Sequence, residues 1–299
     1  MIKGKNILIG VTGGIACYKV LELCSRLIKK GTNIKVIMTS SATEFVRPLA
    51  FETMARCEVF SDMWEGHHAN VHHIDLPKWA DVMLIAPASA STIGKMANGI
   101  SDNFLTAAYL ACAKDVIIAP SMNTQMLHNP ATQKNIETLK SYGVKVIAPE
   151  SGILACDTIG DGRMEEPEQI VEYLDDYFTE KDLLGKNIIV TAGPTVEPID
   201  FVRYITNHSS GKMGYNIARE AKKRGANVTL ISGPVKPFEI AGINRIEIKT
   251  NDEMKESIAS HFEDADALIM SAAPVDYRPV EVSDRKIKKS GSNLTLEFV

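Results

Sequence analysis

Three side chains stand where acid–base chemistry is easiest to build. His73 leads into Ile74, Asp75 and Leu76, just before the Trp79-Ala80-Asp81 approach to a strand. An imidazole at the edge of a pocket accepts a proton near neutral pH. Asn123 lies in residues 120–127, just past a strand end, and carries both a donor and an acceptor without net charge. Such a side chain can hold a carboxylate or an amide, although by composition alone an asparagine that shapes a turn is the better reading. Cys156 sits within residues 151–164, a stretch whose glycines predict a mobile loop. An exposed thiol there can donate or accept a proton.

Other stretches suit phosphate. Gly13 and Gly14 close the opening apolar run and precede a helix, and free N–H groups with the helix dipole favour an anion at that point. Residues 207–214 offer hydroxyls, a lysine and backbone N–H groups before a second helix. Residues 271–278 end a strand in the same way, and Lys286-Ile287-Lys288-Lys289 is a short basic run. That run serves equally as a solvated turn or as a neutraliser of phosphate charge. His67, His68, His72 and His73 suggest metal, but adjacent pairs rarely face one ion, and no helical ligand signature frames them. A solvated loop suits His67 and His68 better.

The elements that must position these residues repeat. Residues 4–14, with Gly4-Lys5-Asn6-Ile7, return as Gly185-Lys186-Asn187-Ile188 in residues 185–195. Each is an apolar run of the kind that forms a buried parallel strand, ending in a glycine turn. After the first come a helix and strands at 33–38, 82–87, 116–120 and 144–149. Residues 42–60 are expected to be helical and then less regular, and further helices are expected after 88–92 through 96, over 102–113 and over 167–178, with a polar, histidine-rich stretch at 61–73. After the second come a loop at 193–214, helices at 214–224 and 252–263, and strands at 227–232, 267–271 and 294–299. Strands alternating with helices predict parallel sheets covered on both faces, with ligands beyond the carboxyl ends of the strands. The fold class is therefore α/β: two Rossmann-like units with parallel sheets flanked by helices, spanning 1–180 and 185–299, with residues 179–182 as linker.

Composition narrows the function classes. A chain of 299 residues, 45% hydrophobic and 23% charged, is that of a globular protein of two ordinary domains. A formal charge of -4 argues against general nucleic-acid binding. No apolar run reaches membrane-spanning length, and no secretion signal opens the chain. Five cysteines without regular spacing read as reduced thiols in the cytoplasm. A dinucleotide dehydrogenase is disfavoured, because Gly10, Gly13 and Gly14 do not make its fingerprint and no acid ends strand 33–38.

Taken together, these motifs closely resemble the bifunctional bacterial coenzyme A biosynthesis family, in which phosphopantothenoylcysteine decarboxylase is joined to phosphopantothenate–cysteine ligase. The first unit is similar to the flavin-dependent cysteine decarboxylases in its opening turn, His73-Ile74-Asp75-Leu76, residues 87–92 and residues 120–126; it departs at Ser91, where the family commonly has Asn. The resemblance implies FMN bound through Thr12, Gly13, Gly14, Thr39, Ser89, Ala90, Ser91 and Thr92. It implies that 4′-phospho-N-pantothenoylcysteine is oxidised at its thiol-bearing carbon, loses carbon dioxide, and is reduced to 4′-phosphopantetheine. His73 would be the base, Asn123 would grip the carboxylate and Cys156 would return a proton. In the ligase half, 4′-phosphopantothenate would be activated by CTP with Mg²⁺ and captured by cysteine. There Asn207 would act in acyl transfer, Ala273 and Asp276 would contact the nucleotide, and Lys286 would offset phosphate charge. The family implies trimers with sites across an interface, often dodecamers, with no nucleic-acid or membrane partner. It also implies a ligase half that runs well beyond position 299, so ligase activity in this chain is expected to be low. Two rivals remain on the resemblance: another flavin enzyme of the same fold and a non-catalytic regulatory homologue. The second opening at 185–195 argues against the first, and the presence of Asn123 and Cys156 against the second.

Overall fold

The computed structural model describes residues 2–63, 71–153, 159–236, 240, 242–288 and 294–299. They form two compact units, Met1–Phe178 and Thr179–Val299. The first contains β1 (Asn6–Val11), α1 (Cys17–Lys29), β2 (Asn33–Met38), α2 (Ser40–Thr43), α3 (Pro48–Ala55) and β3 (Glu58–Phe60). It continues with α4 (His72–Trp79), β4 (Val82–Ala88), α5 (Ala90–Ala97), α6 (Phe104–Leu110), β5 (Val116–Pro120), α7 (Thr124–Leu127), α8 (Pro130–Ser141) and β6 (Lys145–Val146). A hairpin of β7 (Glu150–Ile153) and β8 (Ile159–Arg163) precedes α9 (Pro167–Tyr177).

Six parallel strands lie in the order β3-β2-β1-β4-β5-β6. The order reverses between β1 and β4, and that is where an open sheet leaves a crevice at its carboxyl edge. Strand alternation sends Ile7, Ile9 and Val11 to one face with Leu23 and Leu27 of α1, Phe51 of α3 and Leu174 of α9. Leu8, Met83 and Ile85 meet Ile93 of α5, Leu105 of α6 and Ile136 of α8 on the other. A side chain of this size, fully buried, contributes about 1.5–3 kcal/mol. The crevice thus rests on a rigid base.

Local chemistry redraws several expected elements. Residues 42–60 are not one helix. Pro48 suits a first turn and starts α3 anew, Arg56 ends it with φ 46°, and β3 then joins the sheet with Lys35 and Glu58 paired at 2.9 Å. His72 and His73 open a helix instead of closing a loop; His67 and His68 lie outside the described residues. The strand expected at 144–149 shrinks to β6, since Pro149 has no N–H to add to a ladder. Within residues 151–164, expected as a loop, the flanks pair as antiparallel strands β7 and β8, while Cys156 lies outside the described residues.

The second unit contains β9 (Asn187–Ala192), β10 (Val196–Pro198), β11 (Tyr204–Thr206), α10 (Lys212–Lys223), β12 (Asn227–Ser232), β13 (Asn244–Glu247), α11 (Asn251–Phe262) and β14 (Ala267–Met270). Its sheet is parallel in the order β13-β12-β9-β14. Tyr215 and Ala218 of α10 cover one face against Val190 and Leu230, and Met254 of α11 covers Ile189 and Ile231 on the other. Helix α10 approaches β9 so closely that a Cβ at Gly214 would fall 2.6 Å from the Thr191 carbonyl. The loop expected at 193–214 holds the β10–β11 hairpin. The terminal strand expected at 294–299 does not join the sheet; the chain there bridges back antiparallel, Phe298 to Pro279. Among the described residues no helix is long and apolar enough to cross a membrane.

Candidate functional site

In the first unit a cavity of about 1010 Å³ opens at the carboxyl edge of the sheet. Five helix starts border it: Ala16 before α1, Thr39 before α2, Ser89 before α5, Asn103 before α6 and Asn123 before α7. Backbone N–H groups at such starts lack helical partners and favour anions. Side chains fix four of them, Asn103 accepting from the Thr106 amide at 3.1 Å. Thr39 accepts from the Ala42 amide at 3.3 Å, Ser89 from that of Thr92 at 3.4 Å, and Asn123 from that of Gln125 at 2.8 Å. The start of α1 has no side-chain cap. There Gly13 presses so closely on Ser41 that a Cβ would lie 2.5 Å from the serine Cβ.

Gly13, Gly14, Thr39, Ser89, Ala90, Ser91, Thr92 and Asn123 all line this cavity. Thr12 is not among the lining residues. Its hydroxyl is wholly buried, donates to the Pro87 carbonyl at 2.6 Å and accepts from the Ser89 amide at 2.9 Å. Thr12 therefore sets the loop that begins α5. His73 is half-buried at the start of α4 and is not among the lining residues.

Charge at the cavity was not foreseen. Lys19, Lys95 and Arg163 line it with a single acid, Asp102. Lys95 meets Asp102 at 2.7 Å, and that bond holds the carboxyl below its ordinary range. Lys19 and Arg163 share Glu166, at 2.6 and 3.1 Å. Two signals pointed here. Lys19 sits on the buried stripe of α1, where a cation needs an acid, and Asn103, ahead of Phe104, reads as a helix cap. The hairpin is laced to the Asn123 loop: Thr124 Oγ1 donates to the Asp161 carbonyl at 2.7 Å, and the Met122 amide to that of Gly162 at 3.0 Å. Asp161 also bonds Ser151, then His128 at 3.3 Å, and both keep its carboxyl acidic. Burial raises the thiols of Cys17, Cys24 and Cys112 and pushes that of Cys57 up to about 11, so they stay protonated.

In the second unit the candidates lie on three segments at the carboxyl edge. Asn207 follows β11 and donates to the Pro274 carbonyl at 2.8 Å. The Ala273 amide bonds the Gly193 carbonyl at 2.8 Å, and Asp276 is exposed two residues past Pro274. Lys286 is exposed beside Ile287, which is tied to the β10–β11 turn. Ser271 Oγ is shielded from solvent and has no hydrogen-bond partner among the described residues. No group of three or more metal-ligating side chains occurs among the described residues.

Residues 1–179 match the Flavoprotein family and residues 183–299 the C-terminal domain of DNA/pantothenate metabolism flavoproteins. The Coenzyme A biosynthesis bifunctional protein CoaBC of Bacillus subtilis (strain 168) is 45% identical over 303 residues, covering 100% of this chain and 75% of its own length. The chain belongs to the bifunctional coenzyme A biosynthesis family. The Escherichia coli (strain K12) member is 42% identical over the same share of each chain. Among solved structures, a PPC decarboxylase cysteine-to-serine mutant complexed with pantothenoylaminoethenethiol matches with TM-score 0.55 and 31% identity, over 59% of this chain and 99% of that one. The FMN binding protein AtHal3 matches with TM-score 0.53 and 32% identity, over 59% and 97%. The fold is thus α/β with Rossmann-like units, the first a flavoprotein. The protein functions in coenzyme A biosynthesis, through a phosphopantothenoylcysteine decarboxylase domain followed by a phosphopantothenate–cysteine ligase domain.

Proposed function

We propose that the first unit binds FMN in the 1010 Å³ cavity and there decarboxylates 4′-phospho-N-pantothenoylcysteine. The convergence of five helix starts on one cavity carries this reading. The fit is chemical: amides at α1, α2 and α5 suit a phosphate, and Gly14, which has open space where a Cβ would stand, leaves room beside them. Bound FMN supplies a two-electron acceptor and donor. Gly13, Gly14, Thr39 and residues 89–92 would hold its phosphate, with Thr12 holding the 89–92 loop. Asn123, kept in place by its bond to the Gln125 amide, would bind the substrate carboxylate without adding charge that opposes it. His73 would take the proton released on oxidation, and Cys156 would return one to the product. His73 lies outside the cavity lining of one protomer, which supports a site completed by a second copy. Ile15 and Tyr18, about 60% and 59% exposed on the cavity rim, support the same arrangement, a trimer or dodecamer. The free thiols support a cytoplasmic setting.

In the second unit, Asn207, Ala273, Asp276 and Lys286 would meet CTP with Mg²⁺ and 4′-phosphopantothenate. The unpartnered Ser271 hydroxyl supports a ligand at that edge.

Asn123→Asp tests the decarboxylase reading, because aspartate keeps the helix cap while placing a negative charge toward the carboxylate. Carbon dioxide release should lose at least about tenfold in kcat/KM with FMN retained; unaltered turnover would remove Asn123 from the carboxylate site.

A further inference from the structure

Asp200 carries a buried carboxylate that no step above uses. Its side chain is fully excluded from solvent, in the turn between β10 and β11. Oδ1 accepts the amides of Val202 and Arg203, each at 2.8 Å. That half is an ordinary aspartate turn, which asparagine or serine would also make. Oδ2 does something the turn does not need: it accepts the amide of Ile287 at 3.1 Å, across 87 positions of sequence. Arg203 Nη2 donates to the Ile287 carbonyl at 3.0 Å, so both polar groups of that peptide are held by one turn. The Ser283 amide adds a bond to the Ile199 carbonyl at 3.0 Å. Ile287 stands between Lys286 and Lys288, both exposed. A charge is costly to bury unless its partners are fixed, and one of these partners, the Ile287 amide, belongs to the segment that carries the lysines. The same hairpin leads, through β11, to Asn207 and its bond with the Pro274 carbonyl.

We propose that Asp200 is a positioning residue of the ligase site, locking the segment that bears Lys286 onto the hairpin that leads to Asn207, so that Lys286 is held for the nucleotide phosphates. This rests on the reading of Lys286 given above. Without the lock, the lysine would have to be ordered when nucleotide binds, and affinity would drop.

Asp200→Asn is the sharp variant. Its carbonyl can keep the two turn bonds, while its NH₂ would face the Ile287 amide and Arg203. Arg203→Met, which releases the Ile287 carbonyl and also removes the guanidinium 3.6 Å from Asp200 Oδ2, is the second. The readouts are amide exchange at Ile287, trypsin cleavage after Arg285, Lys286 and Lys288, and Mg–CTP affinity by calorimetry, all on the 299-residue chain. Both variants should speed exchange and cleavage and weaken Mg–CTP by about tenfold, and Lys286→Ala added to Asp200→Asn should cost little more than either alone. Unchanged exchange at Ile287 overturns the proposal. So does faster exchange with unchanged Mg–CTP affinity when Lys286→Ala alone weakens it; the reading of Lys286 then stands and only the lock falls. If Lys286→Ala alone leaves affinity unchanged, the reading of Lys286 falls and takes the lock with it.

Discussion

The two units are alike at one edge of their sheets and unlike at the other. At the amino edge of the first, the Asn6 amide donates to Asp81 Oδ2 at 2.8 Å, Asn6 Nδ2 to the Trp79 carbonyl at 3.0 Å, and Asn33 Nδ2 to Asn6 Oδ1 at 2.9 Å. The second repeats the clasp bond for bond. The Asn187 amide donates to Asp266 Oδ2 at 2.8 Å, Asn187 Nδ2 to the Asp264 carbonyl at 2.8 Å, and Asn227 Nδ2 to Asn187 Oδ1 at 3.1 Å. Each clasp locks the starts of three adjacent parallel strands. At the carboxyl edge the likeness is confined to one buried threonine. Thr12 fixes the loop after β4, and Thr191 accepts the Ser271 and Ala272 amides after β14. Beyond that residue the units diverge. In the first unit helices α1 and α5 begin almost at once and aim their N-termini into a cavity; in the second a hairpin intervenes before α10, and a helix-free loop follows β14. The clasp is scaffold and the loops are chemistry.

That division can be broken residue by residue. The largest effect belongs to His73→Asn, which should cut carbon dioxide release by at least about a hundredfold while FMN still co-purifies and Mg–CTP affinity holds. Retained turnover would remove the histidine from its role. Next is the paired change Gly13→Ala and Gly14→Ala. The first places a Cβ 2.5 Å from Ser41 and the second meets nothing within 4 Å. FMN affinity, read by flavin fluorescence, should fall by about tenfold or more in the first and stay level in the second; equal effects would mean that the packing of Gly13 on Ser41 does not shape the cofactor site. Smaller still is the clasp. Asn6→Ala and Asn187→Ala should each cost about 1–3 kcal/mol in the unfolding of their own unit without changing kcat, and a change in either activity would show that the amino edge is more than scaffold. The smallest is a pH effect. Burial opposes the charge on Asp200, but the amides of Val202, Ile287 and Arg203 outweigh it and hold its folded-state pKa low. The stability it lends is therefore present above the unfolded-chain value of about 3.9 and is lost as pH falls through the lower folded value. Asp200→Asn should flatten the acid limb of the second unit's unfolding midpoint, and an unaltered limb would assign that limb to other groups.

What sequence revealed follows the same division. Buried strands such as β1 and β9 announce themselves because one apolar run satisfies both faces of a parallel sheet, and the repeated Gly-Lys-Asn-Ile exposed the tandem units. Gly13 stood out because it closes an apolar run ahead of a helix, whereas Ser89 drew notice only through the family resemblance and Asn123 read by composition as a turn residue. The charges around the cavity were not legible, since Lys19 meets Glu166 and Arg163 meets Glu150 only after the chain folds. Strand β3 and the β7–β8 hairpin were missed because short strands take their stability from pairing, not from their own pattern. Asp200 carries no signal in the sequence, because its second oxygen finds Ile287 through tertiary structure alone.

The most direct test is the absorption spectrum of the purified chain, followed on adding 4′-phospho-N-pantothenoylcysteine under anaerobic conditions with carbon dioxide collected. The predicted result is a yellow protein, one FMN per first unit, that releases carbon dioxide and ends with its flavin oxidised. A colourless protein that FMN cannot reconstitute, or a yellow one that releases none, would contradict the account.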